Sequence, residues 1–303
     1  MRIVKKIFLI ILIIIIIYII IQVIRCTIAV KNAKKRLESY EAKNITLSYG
    51  NMSYVDKGNG EVIFSIHGIS GGYDQGFDQA YSTLSDLNNY RIIAPSRFGY
   101  LGSDILGNGT PFEQAKAFSE LLDKLGIEKV YVLASSAGGA PAIRFALDYP
   151  EKVKGLILYS SGMPSSKKPT KVPKYSGPPS FACNDYIMYM ISPLFKPLMG
   201  MDSSIIDTML PMEERKKGIV LDASVTNGDT IRNFDKYNVE SLQNPTLILQ
   251  AKDDKLVKYE EAKEGAKRFP NAKIIVFEDG GHLFTGHSEE VHKAVIDFIK
   301  ATK

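Results

Sequence analysis

Val132-Leu133-Ala134-Ser135-Ser136-Ala137-Gly138-Gly139 is an apolar run that passes directly into a string of small residues. Such a stretch suits a buried strand that enters a sharp turn and then a helix, with one side chain displayed at the tip. The tip residue holds a strained backbone conformation, so the residues two positions away must be small. Ser136 has Ala134 and Gly138 at those positions, whereas Ser135 has Leu133 and Ala137. Leu133 would clash, which makes Ser136 the expected nucleophile and Ser135 its competitor. The usual spacing is Gly-x-Ser-x-Gly, and Ala134 stands in place of the first glycine. A plain small-residue turn would satisfy the same wording.

Outward from this stretch, strand and helix patterns alternate. Val62–His67, Arg91–Ala94, Val130–Ala134, Gly155–Ser160, Thr246–Gln250 and Lys273–Phe277 are short apolar runs, as expected of strands buried on both faces. Thr110-Pro111-Phe112-Glu113 opens a helix with a capping threonine, a first-turn proline and a glutamate three residues on; Gly126 ends it. Ser288–Lys300 reads as a final amphipathic helix capped by Ser288. Ile45–Ser48 and Met52–Asp56 flank Gly50-Asn51, a two-residue hairpin signal. The expectation is an α/β domain over 45–303 with a mostly parallel, doubly wound sheet and antiparallel strands at one edge. Between Ser161 and Val239 no strand is evident. Met163–Pro179 is rich in Pro, Lys and Ser, and the helical segments after it are rich in Met, Tyr and Phe. About 163–239 therefore reads as a helical cap. Tyr186 and Met190 are its candidates for touching a substrate, although such side chains equally suit a small core of the cap's own.

A serine at such a tip needs a base, an orienting acid and donors for a developing oxyanion. The chain has 4 histidines, His67, His282, His287 and His292. His282 follows Gly280-Gly281 after the last expected strand, on a loop able to reach Ser136. His287 is the alternative, near the start of the final helix, and His292 falls inside that helix. His67 opens His67-Gly68-Ile69-Ser70-Gly71-Gly72, which suits an oxyanion loop better than a base. The N–H groups of Ile69 and Ala137 are the expected donors. A phosphate cradle is the competing reading of this loop, but the Walker lysine and the Gly-x-Gly-x-x-Gly spacing are absent. The acid should lie between serine and histidine. Asp254, three residues before Val257, has the expected spacing, with Asp253 as its neighbouring rival.

The charges are unevenly placed. The net charge is +5, yet residues 1–36 hold eight Lys/Arg and no Asp/Glu, leaving 30 basic against 33 acidic residues elsewhere. That pattern excludes a basic nucleic-acid-binding surface. The basic residues bracket Ile7–Ile24, an 18-residue run that contains twelve isoleucines and is broken only by Gln22. A helix of that length spans roughly 27 Å, close to the hydrocarbon thickness of a bilayer. The run exceeds a signal peptide's apolar region and ends at Ile24-Arg25-Cys26 without small cleavage-site residues. We read 1–30 as an uncleaved transmembrane anchor and 31–44 as a polar helical stem, with a cleaved signal as the alternative. Charge counting favours a cytoplasmic body, whereas short basic-headed anchors often enter the other way. Two cysteines exclude a disulfide framework and any multi-cysteine zinc site, and no cofactor or metal is implied.

Together these features resemble the α/β-hydrolase superfamily over residues about 45–303. The resemblance rests on the His67-Gly68 loop, the Ser136 elbow, Asp254-Lys255-Leu256-Val257 and Gly280-Gly281-His282. Ser96-Arg97-Phe98-Gly99-Tyr100 resembles the turn after that superfamily's fourth strand, and Gly72-Tyr73-Asp74-Gln75-Gly76 resembles a bacterial subgroup of hydrolases. The resemblance implies a serine hydrolase cleaving a carboxylic ester or related acyl bond, and the Met- and Tyr-rich cap suggests a small, apolar substrate. Thioesterase, aminopeptidase and carbon–carbon hydrolase are its rivals within the enzymes, and a non-catalytic membrane-tethered binding module is the rival outside them.

Overall fold

The computed structural model describes residues 2–303; Met1, where the expected anchor begins, and the side chain of Arg2 lie outside the described residues. Eight strands form one sheet: β1 (Lys43–Leu47), β2 (Gly50–Gly58), β3 (Glu61–Ile66), β4 (Tyr90–Pro95), β5 (Val130–Ser135), β6 (Val153–Tyr159), β7 (Thr246–Ala251) and β8 (Ala272–Phe277). Their spatial order is β1-β2-β4-β3-β5-β6-β7-β8. β2 pairs antiparallel with β1 and β4, and the remaining pairs are parallel.

Side-chain alternation along the strands builds two cores. From β5, Val130, Val132 and Ala134 point toward α3 (Pro111–Lys124) and α4 (Gly139–Asp148), meeting Phe118, Leu122 and Phe145. Tyr131 and Leu133 point the other way, toward α2 (Tyr73–Leu84) and the C-terminal helix (Ser288–Ala301), meeting Phe77, Val295 and Ile299. A strand buried on both faces can carry no charged residue, which is why these runs read as uninterrupted apolar sequence. Parallel strands also bring their carboxyl ends to one edge, and the loops after β3, β5, β7 and β8 gather there.

Three local expectations are corrected. The hairpin turns at Ser48-Tyr49, while Gly50 and Asn51 already belong to β2, with Leu47 opposite Gly50. Distant carboxylates fix this register: Glu120 accepts from the Ser48 N–H and Asp104 from the Asn51 N–H. The final helix begins at Ser288 with His287 at its cap position and no side-chain capping bond. His287 is instead held between Asp279 and Glu290. The 31–44 stem is the continuation of one helix, α1 (Arg2–Ser39), and Lys43 and Asn44 lie in β1.

Between β6 and β7 the chain forms five short α-helices: α5 (Asp185–Ile191), α6 (Phe195–Met199), α7 (Ile206–Met209), α8 (Lys216–Ser224) and α9 (Asp229–Arg232). They surround a core of their own that includes Cys183, Met188, Phe195, Leu210 and Ile219. Ala33 of α1 belongs to that core, and Ala29 and Val30 pack against it.

Candidate active site

The elbow forms as its small residues require. Ser136 has φ 50°, in the left-handed region, whereas Ser135 has φ −114° and ends β5. Ser136, rather than Ser135, therefore occupies the strained tip. A Cβ on Gly138 would lie 2.7 Å from the carbonyl oxygens of both Ile66 and His67, so only glycine lets the helix start this close to β3. Ala134 is accommodated in the first-glycine position, fully buried, with its carbonyl accepting from Ser161 Oγ at 2.9 Å. Ser136 lines a cavity of about 1170 Å³ together with His282, Ile69 and Ala137.

His282 Nδ1 lies 2.9 Å from Asp254 Oδ2, with both residues buried. The other carboxylate oxygen, Oδ1, accepts the N–H groups of Leu256 at 2.8 Å and Val257 at 3.1 Å. Burial alone would raise the Asp254 pKa, but the imidazole and these two N–H groups outweigh it and hold the carboxyl below its ordinary value. An ionised Asp254 accepts, so Nδ1 donates and Nε2 keeps its lone pair. Asp253 acts on the backbone instead. Its carboxylate accepts the Gly281 N–H at 2.9 Å and steadies the loop that carries His282.

The remaining histidines are engaged elsewhere. His67 is buried; its Nδ1 donates to the Gly68 carbonyl at 2.7 Å and its Nε2 accepts the Arg97 N–H at 2.9 Å. Burial and then the Arg97 charge push its pKa well below 6.5, so it stays neutral. His292 Nδ1 pairs with the Thr83 carbonyl at 2.8 Å. His287 is half-buried between its two carboxylates, and the Asp279 bond first, then the Glu290 bond, raise its pKa.

On the expected oxyanion side, Ile69 and Ala137 line the cavity beside Ser136. The Ala137 N–H sits in the first turn of a helix, where no intrahelical acceptor exists. A Cβ on Gly68 would come within 3.1 Å of Ser136 Cβ, which measures how tightly this loop folds over the serine. Arg97 straps the loop from behind. Its Nε donates to the His67 carbonyl at 2.8 Å and its Nη2 to the Gly68 carbonyl at 3.2 Å. The same guanidinium forms a buried, two-pronged ion pair with Asp222 of α8, whose carboxylate also accepts the Tyr100 hydroxyl at 2.6 Å. Tyr186 and Met190 do not line the cavity. Helical spacing turns Met188 and Phe195 inward and leaves these two on the outer face.

The alpha/beta hydrolase fold family matches residues 61–181, and a second family, described as TAP-like protein, matches residues 226–303. The chain belongs to the α/β-hydrolase superfamily. Within it, the chain is 25% identical over 293 residues to a 2-hydroxy-6-oxononadienedioate/2-hydroxy-6-oxononatrienedioate hydrolase of Comamonas testosteroni, covering 86% of this chain and 97% of that one. It is 26% identical over 280 residues to Lipase 1 of Psychrobacter immobilis, covering 86% and 84%. An esterase of Exiguobacterium antarcticum has the same fold, with TM-score 0.69 at 19% identity over 85% of this chain and 99% of that one.

Two positioning groups of this hydrolase carry little signal in the sequence. Gln250 Nε2 donates to Asp254 Oδ2 at 3.2 Å and to the Val257 carbonyl at 2.8 Å, bracing the acid from its own strand. An amide ending the otherwise apolar run Leu247-Ile248-Leu249 is the available sign of it. Arg97 is visible only as part of a motif, because its partner Asp222 lies 125 residues away.

Proposed function

We propose that this chain is a membrane-anchored serine hydrolase that cleaves a carboxylic ester or related acyl bond. One observation carries the reading: a serine at a left-handed elbow and an imidazole oriented by a buried carboxylate open into the same cavity. In the proposed cycle the Ser136 oxygen attacks the acyl carbon while His282 Nε2 takes its proton. The tetrahedral oxyanion is met by the Ile69 and Ala137 N–H groups, each worth about 3–4 kcal/mol. His282 then protonates the leaving alcohol as the carbon–oxygen bond breaks. Water, deprotonated by the same imidazole, releases the acid from Ser136, and Asp254 stabilises the imidazolium in both halves.

The lining supports an apolar acyl group. Met163, Met188, Phe195, Met199 and Leu256 face the cavity, and among the described lining residues there is no lysine or arginine. The Comamonas relative supports carbon–carbon hydrolysis as a second reading. Its substrate is a dicarboxylate by name, however, and the acidic lining residues here, Asp78, Glu260, Glu261 and Glu264, would repel one. The anchor is supported by an exposed apolar run long enough to cross a bilayer, followed in the same helix by residues built into the cap. Those contacts favour a retained helix over a cleaved signal.

A fluorophosphonate probe tests the nucleophile: wild type is expected to be labelled and Ser136→Ala not. A p-nitrophenyl ester series by chain length, with thioester, amide and dienoate controls, tests the bond. Faster turnover of the dienoate than of every ester would replace this reading with the second. Absence of labelling in folded wild type would leave the binding module.

A further inference from the structure

The segment Asp185–Met199 runs as α5, a 3-10 turn at Ser192–Leu194 and α6. Its inward side chains, Met188 and Phe195, are buried in the cap core. Apart from Lys196, its outward side chains are apolar as well. Tyr186, Met190, Leu194 and Leu198 stand four residues apart, one ridge of a helical surface, and are 40%, 40%, 52% and 67% exposed. A surface helix normally turns polar residues outward, so an apolar ridge of this kind marks an interaction surface.

The chain itself indicates what covers it. α1 is one continuous helix, and its apolar run ends at Ile24. Two residues later Cys26 is buried against the domain. One residue after that, Thr27 Oγ1 lies 3.4 Å from the hydroxyl of Tyr186, the first residue of the ridge. Three residues of helix rise about 4.5 Å, so the ridge begins at the level where the spanning segment leaves the hydrocarbon. Arg25 at this level, and Lys31 about 6 Å beyond Thr27 along the same helix, favour anionic headgroups. The ridge also borders the cavity: Leu194 and Leu198, together with Ile191, line the same space as Ser136.

We infer that the ridge rests in the bilayer surface beside the anchor, and that the substrate is a membrane-resident acyl lipid ester entering the cavity sideways past Leu194 and Leu198. This deepens the anchored-hydrolase reading and rests on it. The anchor then acts as part of the substrate path, because it sets the height of the cavity mouth against the lipid.

The test uses the full chain in phosphatidylglycerol-containing vesicles, with a long-chain acylglycerol in the bilayer and p-nitrophenyl acetate in solution. Met190 is exposed and outside the cavity, so Met190→Glu is expected to keep soluble turnover within about twofold and to lose about tenfold on the bilayer ester by headgroup repulsion. The protein has no tryptophan, so Met190→Trp supplies a single reporter. Its emission is expected to shift blue in vesicles and to be quenched by brominated acyl chains, while that of Phe112→Trp, on α3, is not. Equal effects of Met190→Glu on both esters, or an unquenched Met190→Trp indole, overturns the inference while soluble turnover leaves the hydrolase reading standing. Wild type idle on both esters, or turnover that survives Ser136→Ala, overturns the two together.

Discussion

The loops after β3 and after β8 each carry a buried histidine at the edge where the parallel strands end, yet they use it in opposite ways. His67 commits both ring nitrogens to backbone, between the Gly68 carbonyl and the Arg97 N–H. His282 commits only Nδ1, to Asp254, and turns its other edge to the cavity. The difference lies in the neighbouring charges. Beside His67 stand cations, Arg97 and Arg215, which disfavour an imidazolium. Beside His282 stands a carboxylate, which accepts the Nδ1 proton and leaves Nε2 with its lone pair. One loop therefore presents an imidazole nitrogen with a free lone pair, while the other holds a neutral ring between two backbone groups.

The largest expected effects fall on the loop after β8. His282→Ala should cut kcat about 10⁶-fold with little change in melting temperature, and Asp254→Asn about 10⁴-fold, because an amide holds the wrong tautomer. His67→Ala should do the reverse: the residual folded enzyme turns over within about tenfold of wild type, but stability drops by about 2–4 kcal/mol as the buried Arg97 N–H loses its acceptor and the missing imidazole leaves a cavity. Steady-state kinetics and chemical denaturation of the same three variants separate the cases. A catalytic loss at His67 as large as that at His282 would erase the contrast.

Arg97→Met sharpens it further. It removes the strap behind the His67 loop and leaves Asp222 buried without its cation, at an expected cost of about 3–5 kcal/mol. Arg97→Met combined with Asp222→Leu should recover much of that loss, since a matched apolar pair leaves no orphaned charge. Thermal melts of the single and double variants provide the check.

How much of this was legible depended on distance along the chain. Local signals were realised: Glu113 donates its N–H to Thr110 Oγ1 at 3.3 Å, and its carboxylate accepts the Thr110 N–H at 2.8 Å, closing the expected capping box. The buried strands were legible because both faces demand apolar residues. Ser136, Asp254 and His282 could be placed near one another because each follows a strand, and parallel strands end at one edge. The hairpin turn departs from the Gly50-Asn51 signal because Glu120 and Asp104, 72 and 53 residues from their partners, select its register. Tyr186 and Met190 suit a cavity wall by composition, but composition alone does not say which way a cap helix turns. The docking of α1 on the cap was not legible either, since its small side chains, Ala29 and Ala33, carry no outward sign of a partner.

A smaller effect follows from pH. The unfolded chain protonates its histidine near pH 6.5, whereas buried His67 does not until well below that. The unfolded state then binds the extra proton, so this contribution is complete above about pH 6.5 and is lost as pH falls, by up to about 1.4 kcal/mol per unit. His287 works in the opposite sense, because its raised pKa adds stability that is lost as pH rises. Subtracting the pH dependence of His67→Gln from that of wild type, from urea midpoints at pH 5 to 7, isolates the His67 share. Parallel curves would mean that His67 takes up its proton over the same pH range folded as unfolded.

The smallest effect tests the division of labour between the two adjacent aspartates. Asp253 is exposed and accepts the Gly281 N–H, while Asp254 is buried against the imidazole. An asparagine at 253 still offers an amide oxygen to the Gly281 N–H, so Asp253→Asn should cost less than about 1 kcal/mol in either stability or kcat/KM. The same change at 254 exchanges an acceptor for a donor at the one place where the imidazole needs to be held by an acceptor. If the two substitutions lowered kcat alike, the carboxylates would act as an interchangeable pair, and the orientation of His282 would have to be credited to the loop rather than to Asp254.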